Sequence, residues 1–125
     1  MRDKLREEVR CEVAAALHAH GLGRHQTHEI DELGGKSLAA LSILLGDRLY
    51  MMGETVCGLD AVATAMLAGL LTTFFESPLR RTAESFDNLV AYAARMMRRY
   101  YPDHDWAPRP ATACRMPSPM HEAYA

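Results

Sequence analysis

At 125 residues with 49% hydrophobic and 24% charged side chains, the chain has the make-up of about one globular domain, which excludes a disordered or fibrous polymer. A formal net charge of −2 gives no reason to expect nucleic-acid or acidic-membrane binding. Cys11, Cys57 and Cys114 are odd in number and form no CxxC pair, which argues against a disulfide framework or a thioredoxin-type redox pair and makes a reducing cytoplasm the expected location.

The densely charged start, MRDKLREEVR, has no apolar core of a signal peptide. Residues 2–20 then read as a helix. Leu5, Val9, Val13 and Leu17 recur every four positions, Asp3 lies in the first turn, His18 and His20 lie in the last, and Gly21 is a natural stop. After the loop GLGRHQ a second helix is expected from Thr27 as N-cap, through Ile30, Leu33, Leu38, Leu41, Leu44 and Leu45, to Gly46-Asp47. Gly34-Gly35 in its middle costs about 1 kcal/mol per glycine relative to alanine, so a bend or two helices is expected unless packing overrides it.

RLYMMGETV reads as an extended connection, and CGLDAVATAMLAGLLTTFF as a helix over about 58–75. The latter is the most apolar run in the chain. Its uncharged part, Ala61 to Phe75, would span about 22 Å as helix at about 1.5 Å per residue, against the roughly 30 Å of a bilayer core. A helix buried in the middle of a bundle is the expected reading, with no membrane span. Ser77-Pro78 opens a short helical turn, since proline suits the first helical position. A last helix is expected from Asp87 to Tyr100, with Leu89, Tyr92, Ala93, Met96 and Tyr100 on one face, stopped by Pro102. Beyond it lie five of the six prolines and no periodicity, so 102–125 reads as a disordered tail after a helical domain over 1–101.

The clearest local signal is Cys57-Gly58-Leu59-Asp60, which has capping-box spacing. An acid at the third helical position accepts from the cap residue's N–H and sits at the positive end of the helix dipole. The cap here is a cysteine, whose sulfur is a weak acceptor, so Asp60 is expected to carry most of the capping. A thiol activated by the helix N-terminus is the functional alternative, opposed by the neighbouring Asp60 charge. His18, His20, His25 and His28, with Cys11, match no standard zinc spacing and read as exposed helix-end and loop histidines. The arginines of ARMMRRYYP suit a helix C-terminus and solubility better than an anion site, and Met51-Met52 and Met96-Met97 read as core filler. No spacing argues for a catalytic triad, a phosphate loop or paired carboxylates.

Several stretches in order resemble the C-terminal helical domain of glutathione S-transferase-like proteins, in the branch related to metaxin and the failed-axon-connections proteins. They are Gly21, Gly23, Arg24 and His25; Leu45, Gly46, Asp47, Tyr50 and Gly53; Asp60; Glu76 to Leu79; Asn88 to Val90 with Tyr92; and Tyr101-Pro102. Cys57 stands where that pattern has a Ser or Thr cap. The resemblance implies an all-α helical bundle of the glutathione S-transferase C-terminal type. It also implies that the family's N-terminal thioredoxin-like domain, which holds glutathione and any activating Ser, Cys or Tyr, lies outside this chain.

No catalytic, cofactor-binding or metal-binding residue is therefore expected here, with glutathione bound only if a thioredoxin-like domain is supplied. Cys57 and Asp60 are the expected structural N-cap of the core helix, and Gly21, Gly23, Arg24 and His25 the family-motif loop. The implied role is one wall of an electrophile pocket plus contacts to a homodimer mate or a thioredoxin-like partner domain. A metaxin-like non-enzymatic interaction module, or a relic fragment, is the alternative.

Overall fold

The computed structural model describes residues 1–106. The part of the expected tail from 107 to 125 lies outside the described residues. The described residues form five α-helices: α1 (Arg2–His20), α2 (Thr27–Leu45), α3 (Gly58–Leu70), α4 (Pro78–Glu84) and α5 (Asp87–Tyr100). A 3-10 turn, Leu22–Arg24, joins α1 to α2. Among the described residues there is no strand, only an isolated bridge between Tyr50 and Gly53. The all-α expectation holds.

Local chemistry accounts for most boundaries. Gly21 ends α1 in the left-handed conformation, φ 96°, and its N–H bonds the His18 carbonyl. The N-cap of α2 is Gln26 rather than Thr27: Gln26 is extended and its N–H donates to Glu29 Oε2 at 2.7 Å, while Thr27 is already helical. That bond, ahead of a smaller opposing effect of desolvation, lowers the Glu29 pKa. Ser77 caps α4 by accepting from the Arg80 N–H at 3.1 Å, with Pro78 as the first helical residue. Helix α3 ends at Leu70, five residues before the expected Phe75; the chain turns there, leaving Phe74 and Phe75 exposed.

The bend expected at Gly34-Gly35 is absent, because α2 runs unbroken past both. Packing is the reason. A Cβ at Gly34 would come within 2.6 Å of Leu79 Cδ1 and 3.3 Å of its Cγ, whereas one at Gly35 would meet only Thr82 Cγ2 at 3.8 Å. Gly34 lets α4 lie close on α2. Gly34→Ala is therefore expected to destabilise by about 1–3 kcal/mol through overpacking. Gly35→Ala is expected to stabilise by about 0.5–1 kcal/mol through helix propensity. Opposite shifts of the urea midpoint would show the contrast.

The core gathers Leu45, Met51, Leu67, Leu71, Leu89 and Tyr92, all fully buried. Helix α2 packs on α4 and α5, and α3 packs on α5. Asn88, at the start of α5, fastens the end of α2: its amide donates to the carbonyls of Ser42 (3.0 Å) and Gly46 (3.3 Å), and Ser42 Oγ returns a bond at 2.7 Å. Arg95 and Arg99, read from sequence as dipole and solubility charges, instead hold the 46–57 connection. Arg95 donates to the Leu49 carbonyl at 2.6 Å, and Arg99 donates to the Tyr50 hydroxyl.

Two expectations about burial need correction. Helix α3 is not enclosed. It buries Asp60, Ala63, Thr64 and Leu67 on one face and exposes Leu59, Val62 and Met66 on the other. Tyr100, expected on the buried face of α5, is 47% exposed. Helix α1 buries no residue at all, and its stripe of Leu5, Val9, Val13 and Leu17 faces solvent. At the other end, Trp106 packs against the core beyond Pro102.

Candidate functional site

The polar centre of the molecule is Asp60, fully buried at the start of α3. Its Oδ2 accepts the Cys57 N–H at 2.9 Å. Its Oδ1 accepts the Met51 N–H at 2.9 Å and the Tyr92 hydroxyl at 2.8 Å. One carboxylate thus joins the helix start, the preceding loop and α5. Thr64 Oγ1, one turn further along α3, completes the group at 3.4 Å from the Tyr92 oxygen. Burial pushes the Asp60 pKa up, but the hydrogen bonds from Met51, Cys57 and Tyr92 outweigh it and leave it below its ordinary value. Burial and the neighbouring carboxylate push the Tyr92 hydroxyl up to about 12. Both carboxylate oxygens of Asp60 accept from fixed donors, so the group ties three parts of the structure together.

Cys57 is exposed beside this node. Replacing it by serine supplies a better acceptor at the cap, so Cys57→Ser is expected to raise stability by about 0.5–1 kcal/mol in a thermal melt.

An apolar groove of about 680 Å³ opens next to Cys57. Its floor is Ala61, Ala65 and Ala68 of α3, and its far wall is Met96, Met97 and Tyr100 on α5. Asp60 does not line it.

Of the motif loop, Gly21 and Gly23 form a tight elbow. A Cβ at Gly23 would fall 2.7 Å from the His18 nitrogen, so only glycine fits that approach. Arg24 Nε donates to the His18 carbonyl at 3.1 Å, and His25 lies 3.5 Å from Glu29. Cys11 contacts Glu7 on its own helix. Among the described residues, no three or more His, Cys, Asp or Glu side chains are grouped to hold a metal ion. No helix there is long and apolar enough to cross a membrane.

Sequence reasoning selected Asp60 and Cys57 but not their partners. Tyr92 carried a signal, since it belongs to the Asn88–Tyr92 stretch. The Met51 contribution is a backbone N–H, which no side-chain pattern marks.

This all-helical arrangement agrees with the family comparison. The description "Glutathione S-transferase, C-terminal domain" matches residues 34–96, half of the chain, and the chain belongs to that family. Among curated proteins it is similar to "Failed axon connections" of Drosophila melanogaster, 37% identical over 92 residues. The match takes in 71% of this chain and 22% of the fly protein, so the chain spans under a quarter of that relative's length. No solved structure matches.

Proposed function

We propose that this chain is a non-catalytic docking domain of a glutathione S-transferase-like protein, pairing with a thioredoxin-like domain in the same or another polypeptide. The observation that carries this is the outer face of α3. Leu59, Val62 and Met66 share that face at helical spacing, and Phe74 and Phe75, just past its end, are 86% and 76% exposed. Exposed apolar surface of this kind marks an interaction site. The apolar groove beside Cys57 gives the pair a wall suited to a hydrophobic electrophile. With Asp60 committed to fixed donors, no described residue is set up as the base that activates a thiol. The exposed thiols of Cys11 and Cys57 fit a reducing, cytoplasmic setting.

The test is calorimetry and turnover. The chain alone is expected neither to bind glutathione nor to conjugate it to a chloronitrobenzene. It is expected to bind a glutathione transferase's thioredoxin-like domain supplied in trans, and Phe75→Ser is expected to weaken that binding. Conjugation by the chain alone, or binding indifferent to Phe75, overturns the proposal. A metaxin-like role, in which the same face binds another protein without any transferase chemistry, is favoured if the pair forms but stays inactive.

A further inference from the structure

We propose that Trp106 is a positioning residue for the α3–α5 groove: by anchoring the turn that follows α5, it holds Tyr101 as one wall of a pocket for a compact apolar molecule. This rests on the apolar-pocket reading of the groove, and it is independent of the docking face on α3.

Tyr101 belongs to two structures at once. It lines the groove beside Met97 and Tyr100. Its N–H donates to the Met97 carbonyl at 2.8 Å, so that end of the residue still belongs to the last turn of α5. Pro102 then forbids further helix and pushes the residue before it out of the helical region. The Tyr101 carbonyl accepts the His104 N–H at 3.0 Å, which turns the chain back on itself within four residues. The Trp106 N–H donates to the His104 carbonyl at 2.8 Å, a second and tighter turn that completes the return.

One side chain secures this turn to the rest of the molecule. Residues 101–105 are exposed, while Trp106 is half-buried and packs against the core. An indole suits an anchor, since it buries a large apolar area and has only two torsions to order. A surface segment with so little packing opens at a far lower cost than the helices beneath it. With Trp106 seated, Tyr101 is fixed through its carbonyl as well as its N–H. Its side chain is then already in place when a ligand arrives, and binding is spared the cost of ordering a loose tyrosine.

The cysteines report on the groove. Cys57 is exposed and lines it; Cys11 is equally exposed but sits on α1, away from the lining. Alkylation by N-phenylmaleimide, which carries an apolar ring, is compared with alkylation by iodoacetamide, which does not, and peptide mass separates the two sites. The ratio of the two rates at Cys57 is expected to exceed that at Cys11 by at least about threefold, because only the Cys57 adduct can seat its ring in an apolar pocket. Trp106→Ala is expected to lower the Cys57 ratio at least about twofold, and Trp106→Phe to keep most of it, through the loss or retention of the anchor. Tyr101→Ala should lower it to a similar degree, and adding Trp106→Ala should then change little, since both act through the same wall. General loosening of the fold would speed both reagents together and leave the ratio unchanged, and circular dichroism checks that the helices persist. A Cys57 ratio unmoved by Trp106→Ala overturns the proposal while leaving the pocket standing, as does a double variant whose loss is the product of the single ones. A wild-type ratio no higher at Cys57 than at Cys11 overturns the proposal and the pocket reading together.

Discussion

Asp60→Ala is expected to remove about 3–5 kcal/mol of stability, a large share of the roughly 5–15 kcal/mol that holds a domain of this size. Three donors lose their acceptor at once: the N–H groups of Met51 and Cys57 and the hydroxyl of Tyr92. Each buried donor left unpaired costs about 1–3 kcal/mol. Tyr92→Phe removes one donor and leaves the two backbone bonds in place, so about 1–2 kcal/mol is expected for it. The double variant should lose less than the sum, with a coupling of about 1 kcal/mol, because the two side chains touch. Urea unfolding of the four proteins measures the cycle, and additivity would show that the Asp60–Tyr92 bond contributes nothing.

The same node sets a pH dependence at both ends. The Asp60 carboxyl titrates lower in the folded chain than its ordinary 3.8. The unfolded chain therefore takes up its proton first, and this contribution is present above about pH 4 and lost as pH falls below it. Tyr92 is raised from 10.0 to about 12, so the folded chain keeps its proton longer. Its contribution is present below pH 10.0 and lost as pH rises toward about 12. Tyr92→Phe should flatten that alkaline loss, and Asp60→Asn the acid one, in stability measured across pH.

Arg80→Ala is the second large effect, at about 2–4 kcal/mol. Its guanidinium is 5% exposed and forks between Glu84 at 2.9 Å and Glu76 at 3.1 Å, with a longer bond to the Phe75 carbonyl at 3.4 Å. Glu84 is itself only 14% exposed, so truncating Arg80 strands a nearly buried carboxylate; Glu76 is 58% exposed and contributes little. Arg80→Lys keeps the charge but cannot reproduce the fork, so it should recover part of the loss and no more. Equal stability of Arg80→Lys and wild type in chemical denaturation would refute the forked geometry. Because this arginine also holds the Phe75 backbone, its loss should loosen the segment on which the proposed docking face ends.

Helices were legible in the sequence wherever the apolar period was strong and a stop residue stood at its end, as at Leu5–Leu17 with Gly21. What the period could not say is whether anything covers the stripe, since an amphipathic face looks the same bare or packed. Gln26 escaped as a cap because glutamine is outside the usual capping set, although Glu29 three residues on marked the box. Asp60 was legible as a cap from its spacing to Cys57. Its reach to Met51 and Tyr92 was not, because those groups arrive only when the loop and α5 close over α3. Gly34-Gly35 misled for the same kind of reason: propensity counts the missing side chain as a weakness, while the neighbouring Leu79 needs the space. Arg80 carried no signal, since sequence does not reveal which arginine is roofed over.

Trp106 is the only tryptophan in the chain, and it rests on the core from outside the last helix. Intrinsic fluorescence will therefore report the peeling of one terminal segment, while far-ultraviolet dichroism reports the helices. Emission that reddens before the dichroism changes would be the signature of that segment lifting away, and would say nothing against cooperative melting of the bundle beneath it.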